Sequence, residues 1–232
     1  KLYLCDCFVY MDTVQYLSND WNNRNRIRTP NGSQWLTVPI DKFNTKGTRL
    51  DQVRIFGSKN TEEKKFWQKV HWRSIESNYR NCRYFDYYEP QLRKIYTDTI
   101  WERLIDLCWE QFQLFSSLLG FGECAVVRMS ETQFEGQKGN LVLDQCIKLG
   151  ADAVVFGAHG KEYVEIKKFN EHNINVYFQD YVHPTYEQRF SNFVPNLSVL
   201  DLIMNHGPRS KDILLSCNVT YEGLREGRLW SL

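Results

Sequence analysis

Four groups of residues have side chains and spacings that could do chemistry. The densest is Trp21-Asn-Asn-Arg-Asn-Arg26, with two guanidinia among three asparagines, preceded by Asp12 and Gln15. Arginine offers a planar fork of donors, and asparagine offers both a donor and an acceptor. Gln15, Arg24, Asn25 and Arg26 are therefore read as contacts for an anionic or polyoxygenated ligand, against the plainer alternative of a solvated hairpin with a structural arginine. In the second group, Trp67, His71, Ser74 and Asn78 fall at steps of three and four, so they share one helix face. His71 is either an acid–base group or a half-buried imidazole bonded to backbone. The third group is Gly157-Ala-His-Gly160, where glycines would let backbone amides approach a phosphate or carboxylate. The pattern is neither GxGxxG nor a P-loop, and a tight turn explains it equally well. The fourth, Gln179-Asp180-Tyr-Val-His183, sets a carboxylate three residues before an imidazole whose tautomer it could hold. Pro184 and its aromatic neighbours also make a structural corner.

Positioning these groups requires a particular set of elements. Residues 2–11 read as a buried strand ending at Asp12. Thr29-Pro-Asn-Gly32 reads as a turn and 34–40 as a strand after it. A helix is expected over 61–79, capped by Thr61 with Glu62 and Glu63 in its first turn. A second, eight-turn helix is expected from Pro90 to Leu119. Then come a strand at 124–129, a helix at 140–149 closed by Gly150, a strand at 153–156, a short helix at 162–169 and a strand at 174–178. A capping box at Ser198–Asp201 opens a helix to Asn205, and another helix follows near 210–217. The alternation of strand and helix predicts an α/β fold. Its sheet is mostly parallel, Rossmann-like and three-layered, with a β-hairpin insertion and a helical C-terminal tail, in a single domain over 1–232. Ligands bind such sheets at the carboxyl ends of the strands. That edge would present Asp12 and Gln15, then Ser130, then Gly157 and Gly160, then Gln179 and Asp180 followed by His183.

Composition removes several classes of function. With 29 basic and 28 acidic residues the net charge is +1, which gives no general attraction to nucleic acid, so anion binding must be local. Seven scattered cysteines without a CxxC pair read as small hydrophobes in a reducing compartment. The five histidines lack HxH or HxxxH spacing, so no metal site is expected. A GxSxG elbow is absent, and nothing marks Cys82 as an activated nucleophile. No run of apolar residues is long enough to span a bilayer.

Read together, these segments resemble the WbqC-like protein family of bacterial surface-polysaccharide (O-antigen) gene clusters. The resemblance rests on Asp12-Thr-Val-Gln-Tyr16, Trp21-x-x-Arg-Asn-Arg-Ile27, Thr29-Pro-Asn-Gly32, Trp35-Leu-Thr-Val-Pro39, Phe178-Gln-Asp-Tyr181, His183-Pro184 and Leu197-Ser-Val-Leu-Asp201. The family pattern opens with a His-Gln-Pro segment and a further strand, so residues upstream of Lys1 are expected. The resemblance implies a cytoplasmic enzyme of sugar tailoring. The expected reaction is transfer of a small acyl or aminoacyl group to a nucleotide- or lipid-linked sugar. Asp12, His71 and His183 are then the acid–base candidates. No cofactor follows from the sequence, and a homo-oligomer stays open. Two other readings stand beside it: a nucleotidyl or adenylyl transferase on the parallel sheet, and a non-catalytic glycan-binding or assembly module.

Overall fold

The computed structural model describes residues 1–18, 20–41, 47–56 and 61–225, without the side chains of 61–65 and 225. In chain order the strands are β1 (Cys7–Tyr10), β2 (Arg24–Thr29), β3 (Gly32–Thr37), β4 (Ala125–Arg128), β5 (Ala153–Gly157) and β6 (Asn175–Gln179). The α-helices are α1 (Thr61–Tyr79), α2 (Phe85–Thr97), α3 (Leu104–Leu118), α4 (Gly139–Lys148), α5 (Ile166–Asn170), α6 (Val199–His206), α7 (Ser210–Leu215) and α8 (Tyr221–Arg225). The protein is a mixed α/β chain with short parallel and antiparallel sheets. No helix among the described residues is long and apolar enough to cross a membrane.

Contacts divide the chain into two compact units. One comprises 1–11, 121–182 and 215–232, and the other 12–120 and 183–214. The first unit holds the predicted strand–helix alternation. Its parallel strands pair two by two, β1 with β4 and β5 with β6. Helix α4 follows β4, and Gly150 takes the left-handed conformation (φ +66°) just past its end, as glycine readily does. Phe156, Phe169, Ile174 and Cys146 form this unit's core. Strand β1 is shorter than predicted and half-buried, after a 3-10 turn at Leu2–Leu4.

In the second unit β2 and β3 pair as an antiparallel hairpin, Arg24 opposite Thr37 through Thr29 opposite Gly32. Gly32, at φ +121°, closes the turn in a conformation that a β-carbon disfavours. β2 is absent from the expected strands, because its polar side chains hide the strand period. Helix α1 has the predicted bounds and buries Trp67, Gln68, His71, Trp72, Ile75 and Tyr79, a stripe with helical spacing. The cap expected at Thr61 and the acidic first turn lie outside the described side chains.

The single helix expected from Pro90 to Leu119 is instead two. α2 starts at Phe85, with Pro90 inside it, and ends at Thr97. The break is made by distant partners. Gln68 Nε2 donates to the carbonyls of Thr99 (2.7 Å), Tyr96 (3.3 Å) and Ile95 (3.4 Å), and Trp101 Nε1 donates to Ile95 O (2.8 Å). Those groups satisfy carbonyls that a helix end leaves open. Residues 102–104 then run alongside 53–55, with Leu104 N donating to Val53 O (2.9 Å) and Ile55 N to Glu102 O (2.9 Å). The core of this unit gathers Tyr16, Val38, Val53, Ile55, Trp67, Ile95, Leu104 and Leu107.

The capping box at α6 is half formed. Ser198 Oγ accepts from Leu200 N (3.4 Å), but Asp201 does not reach back to the cap. Its carboxylate accepts instead from Tyr186 OH (3.0 Å), fully buried.

Candidate functional site

A cavity of about 420 Å³ lies within the second unit, enclosed by the hairpin, the loop before it, helices α1, α2 and α3, and the start of α6. Its position follows from local sequence. Helix α3 carries Leu104, Leu107, Cys108, Gln111, Phe112 and Phe115 at steps of three and four, and all six line the cavity. Ile75 and Leu92 close the wall from α1 and α2.

His71 also lines this cavity and is 6% exposed. Its Nε2 lies 3.1 Å from the Thr37 carbonyl. A carbonyl only accepts, so Nε2 carries the proton and Nδ1 keeps a lone pair. No hydrogen bond to Nδ1 occurs among the described residues. The ring meets Trp67 edge-on, with centroids 5.0 Å apart, and Tyr96 at 6.3 Å. Burial drives the imidazole pKa down to about 4, and the backbone bond to Thr37 offsets only part of that. The ring is therefore neutral throughout the physiological range. Tyr96 OH accepts from Gln111 Nε2 (3.4 Å), and burial pushes the phenol up to about 12.

The polar patch forms the cavity mouth, with Trp21 through Asn25 all on its lining. The asparagines at 22 and 23 hold the loop in shape. Asn22 Oδ1 accepts from Leu17 N (3.0 Å). Asn23 accepts from Tyr16 OH (3.1 Å) and donates to Val38 O (2.8 Å). Arg24 donates from Nε to Asp20 O (3.1 Å) and stacks over Trp35 at 4.5 Å. Trp21, half exposed, lies 4.9 Å from Trp35. Asn25 Oδ1 accepts from Arg26 N (2.8 Å). Arg26 turns towards the chain itself: Nη2 donates to the carbonyls of Pro195 (3.2 Å) and Asn196 (3.1 Å), and Ser198 N donates to Arg26 O (2.8 Å). This fixes the start of α6 beside the mouth.

Of the predicted site residues, the cavity thus brings together Arg24, Asn25 and His71. Arg26 stands next to them as a tether. Asp12, Gln15 and His183 belong to the same unit but are not on the cavity lining. Asp12 is fully buried, and Gln15 bridges Arg49. Arg49 is held above its ordinary pKa first by its hydrogen bonds to Asp51, with the Asp12 charge adding to them. His183 Nε2 accepts from Asn196 N (3.2 Å), and its ring stacks on Tyr186. Cys82 Sγ faces Asn205 Oδ1 (3.7 Å), and burial raises its thiol to about 11, which leaves it un-ionised.

Ser130, Gly157, Gly160, Gln179 and Asp180 fall in the first unit. Gln179 ends β6, and Ser130 lies in a 3-10 turn after β4. Gly157 precedes a 3-10 turn at Ala158–Glu162, and Gly160 lies within it. A β-carbon at Gly160 would sit 2.6 Å from Phe156 Cβ and 3.1 Å from Phe178 Cε1, so packing alone accounts for that glycine. Among the described residues, no group of three or more His, Cys, Asp or Glu could hold a metal ion.

Two features escaped sequence reasoning. Tyr96 and Gln111 were not among the expected site residues, although a glutamine on the apolar stripe of α3 was a visible signal. Arg28 is 1% exposed and caged by carbonyls. Nη1 donates to Gly32 O (2.7 Å) and to Thr29 O. Nη2 donates to Ser191 O (2.5 Å) and Asn192 O (2.8 Å), and Nε donates to Gln188 Oε1 (3.2 Å). Arg28 N donates to Tyr79 OH (2.8 Å). This cage ties the hairpin turn to residues 188–192, and no local pattern announces it.

Residues 1–213 match the model of the WbqC-like protein family. The chain is also 31% identical over 213 residues to "Uncharacterized protein Rv1507c" of Mycobacterium tuberculosis (strain ATCC 25618 / H37Rv), covering 91% of this chain and 89% of that protein. No solved structure matches.

Proposed function

The chain belongs to the WbqC-like protein family, and from that premise we propose an enzyme of bacterial surface-polysaccharide (O-antigen) biosynthesis. It transfers a small acyl or aminoacyl group from an activated thioester to a hydroxyl or amine of a nucleotide- or lipid-linked sugar. The reading includes a cytoplasmic location. It also takes the parallel pairs β1–β4 and β5–β6 as parts of one Rossmann-like, three-layer sheet, with the β2–β3 hairpin as an insertion.

The observation that carries the reading is a buried, neutral His71 in a cavity whose mouth is formed by Arg24 and Asn25. In the proposed step Nδ1 accepts the proton of the sugar hydroxyl as its oxygen attacks the thioester carbonyl. The new C–O bond forms, the C–S bond breaks, and the proton passes from His71 to the departing thiolate. Thr37 O holds the imidazole in the tautomer this needs. A pKa of about 4 makes the ring a weaker base than free imidazole, but keeps its lone pair available at neutral pH. Negative charge developing on the carbonyl oxygen inside a low-dielectric cavity favours the imidazolium as the proton arrives. Arg24 and Asn25 supply the donors for the sugar or its anionic carrier.

The test is a transfer assay of the full chain with a panel of thioesters and sugar acceptors. His71→Gln keeps a donor for Thr37 O and loses the base, so kcat should fall by roughly 10²-fold or more. Arg24→Gln should raise KM more than it lowers kcat. A His71→Gln protein that is folded and fully active refutes the mechanism.

A further inference from the structure

The chemistry of the cavity wall narrows what is transferred. We infer that the cavity takes an uncharged, apolar acyl chain with an anionic carrier or head, and not an aminoacyl group. The fate of that chain rests on the transferase reading, but its binding does not.

The deep wall is hydrocarbon. Ile75, Leu92, Leu104 and Leu107 line it and are each at most 2% exposed. Among the described lining residues no carboxylate is present, and the one fixed charge is Arg24 at the mouth. An ammonium entering this space would lose its water, find no counter-charge and meet the positive potential of Arg24. Burying an unpaired charge costs far more than any packing there returns. A sugar ring fares little better, because each buried hydroxyl needs a partner. The interior offers little beyond the Nδ1 lone pair of His71 and the Tyr96–Gln111 pair. An alkyl chain has neither problem. Each methylene moved from water onto this wall should gain roughly fourfold in affinity until the space is filled. The sugar then stays at the mouth, beside Trp21, Arg24 and Asn25, and the anionic head meets the Arg24 guanidinium.

The experiment is calorimetric titration of the full chain with saturated fatty acids from butanoate to dodecanoate, with 8-aminooctanoate as the ammonium-ended control. Affinity should climb by roughly fourfold per methylene and then level off. The amino acid control should bind at least tenfold more weakly than octanoate. Arg24→Gln should weaken every chain length by a similar factor and leave the slope intact. Leu107→Phe should shorten the chain at which affinity levels off. If that variant fails to fold, Phe115→Trp, in the partly exposed stretch of α3, makes the same measurement. Affinity independent of chain length, or equal binding of octanoate and 8-aminooctanoate, overturns the inference. Chain-length-dependent binding with no transfer to any sugar acceptor sinks the transferase reading and supports this one. Transfer of aminoacyl groups in preference to acyl groups does the reverse.

Discussion

His71 should write its burial into the pH dependence of stability. The folded ring has a pKa of about 4, against 6.5 in the open chain. Between those values the unfolded chain binds a proton that the folded chain refuses. Stability from this group is therefore complete above about pH 6.5, falls as the pH drops towards 4, and levels off below that. At 1.36 kcal/mol per pH unit the full loss is at most about 3 kcal/mol, of which about 2 kcal/mol is gone by pH 5. Urea unfolding of the native protein and of His71→Gln at pH 7.5 and pH 5.0 isolates the effect. The native protein should lose about 2 kcal/mol more than the variant over that interval. Other titrating groups cancel in the comparison, including Asp201. Burial lifts that carboxyl pKa despite its bonds to Tyr186 and Tyr79, so its contribution has the opposite sign, present at low pH and lost as the pH rises. Equal losses in the two proteins would mean that His71 is solvated or paired with an anion when folded, and the account of the cavity would fail with it.

Two further outcomes follow from packing. Arg28→Met removes the buried guanidinium from its carbonyl cage and leaves the part-buried acceptors of Gly32, Ser191 and Asn192 without their donor. It should cost roughly 3 kcal/mol or more in denaturant unfolding, and a loss below about 1 kcal/mol would show the cage to be solvated. Gly160→Ala forces a methyl against Phe156 and Phe178 and should destabilise by about 1–3 kcal/mol in thermal melts. A neutral result there would leave a ligand-cradling role as the better explanation of the glycine.

Legibility in the sequence followed the range of the deciding interaction. Helix α1 was readable over its full length, because an uninterrupted polar–apolar period and the lack of breakers settle it locally. So was the end of α4, where Gly150 stands just past the last turn. The break between α2 and α3 was not readable. The apolar spacing runs on through Ile100 and Leu104, and what stops the helix is Gln68, 31 residues before Thr99 in the chain, together with Trp101. The Arg28 cage depends on carbonyls more than 160 residues away and was equally hidden. The candidate site lies between these cases. His71 was visible through its neighbours on one helix face, and Arg24 and Asn25 through their setting. That these three face one cavity depends on the packing of the hairpin on the helices, which no local pattern encodes.

The polar patch itself has a division of labour that composition could not reveal. Asn22, Asn23 and Arg26 spend their hydrogen-bonding groups on the chain: the loop at Leu17, the end of the hairpin at Val38, and the carbonyls at 195 and 196. Arg24 and Asn25, between Asn23 and Arg26, line the cavity mouth while making bonds of their own, Arg24 Nε to Asp20 O and Asn25 Oδ1 from Arg26 N. The mouth is thus tied to the chain from both ends of the patch. Such a mouth is held in shape before a ligand arrives, and binding then costs little ordering entropy. A flexible loop of the same composition could bind the same anion, but it would surrender much of that affinity to its own immobilisation. The density of amides beside arginines thus serves two ends at once, and the structural half of the patch makes the ligand-facing half effective.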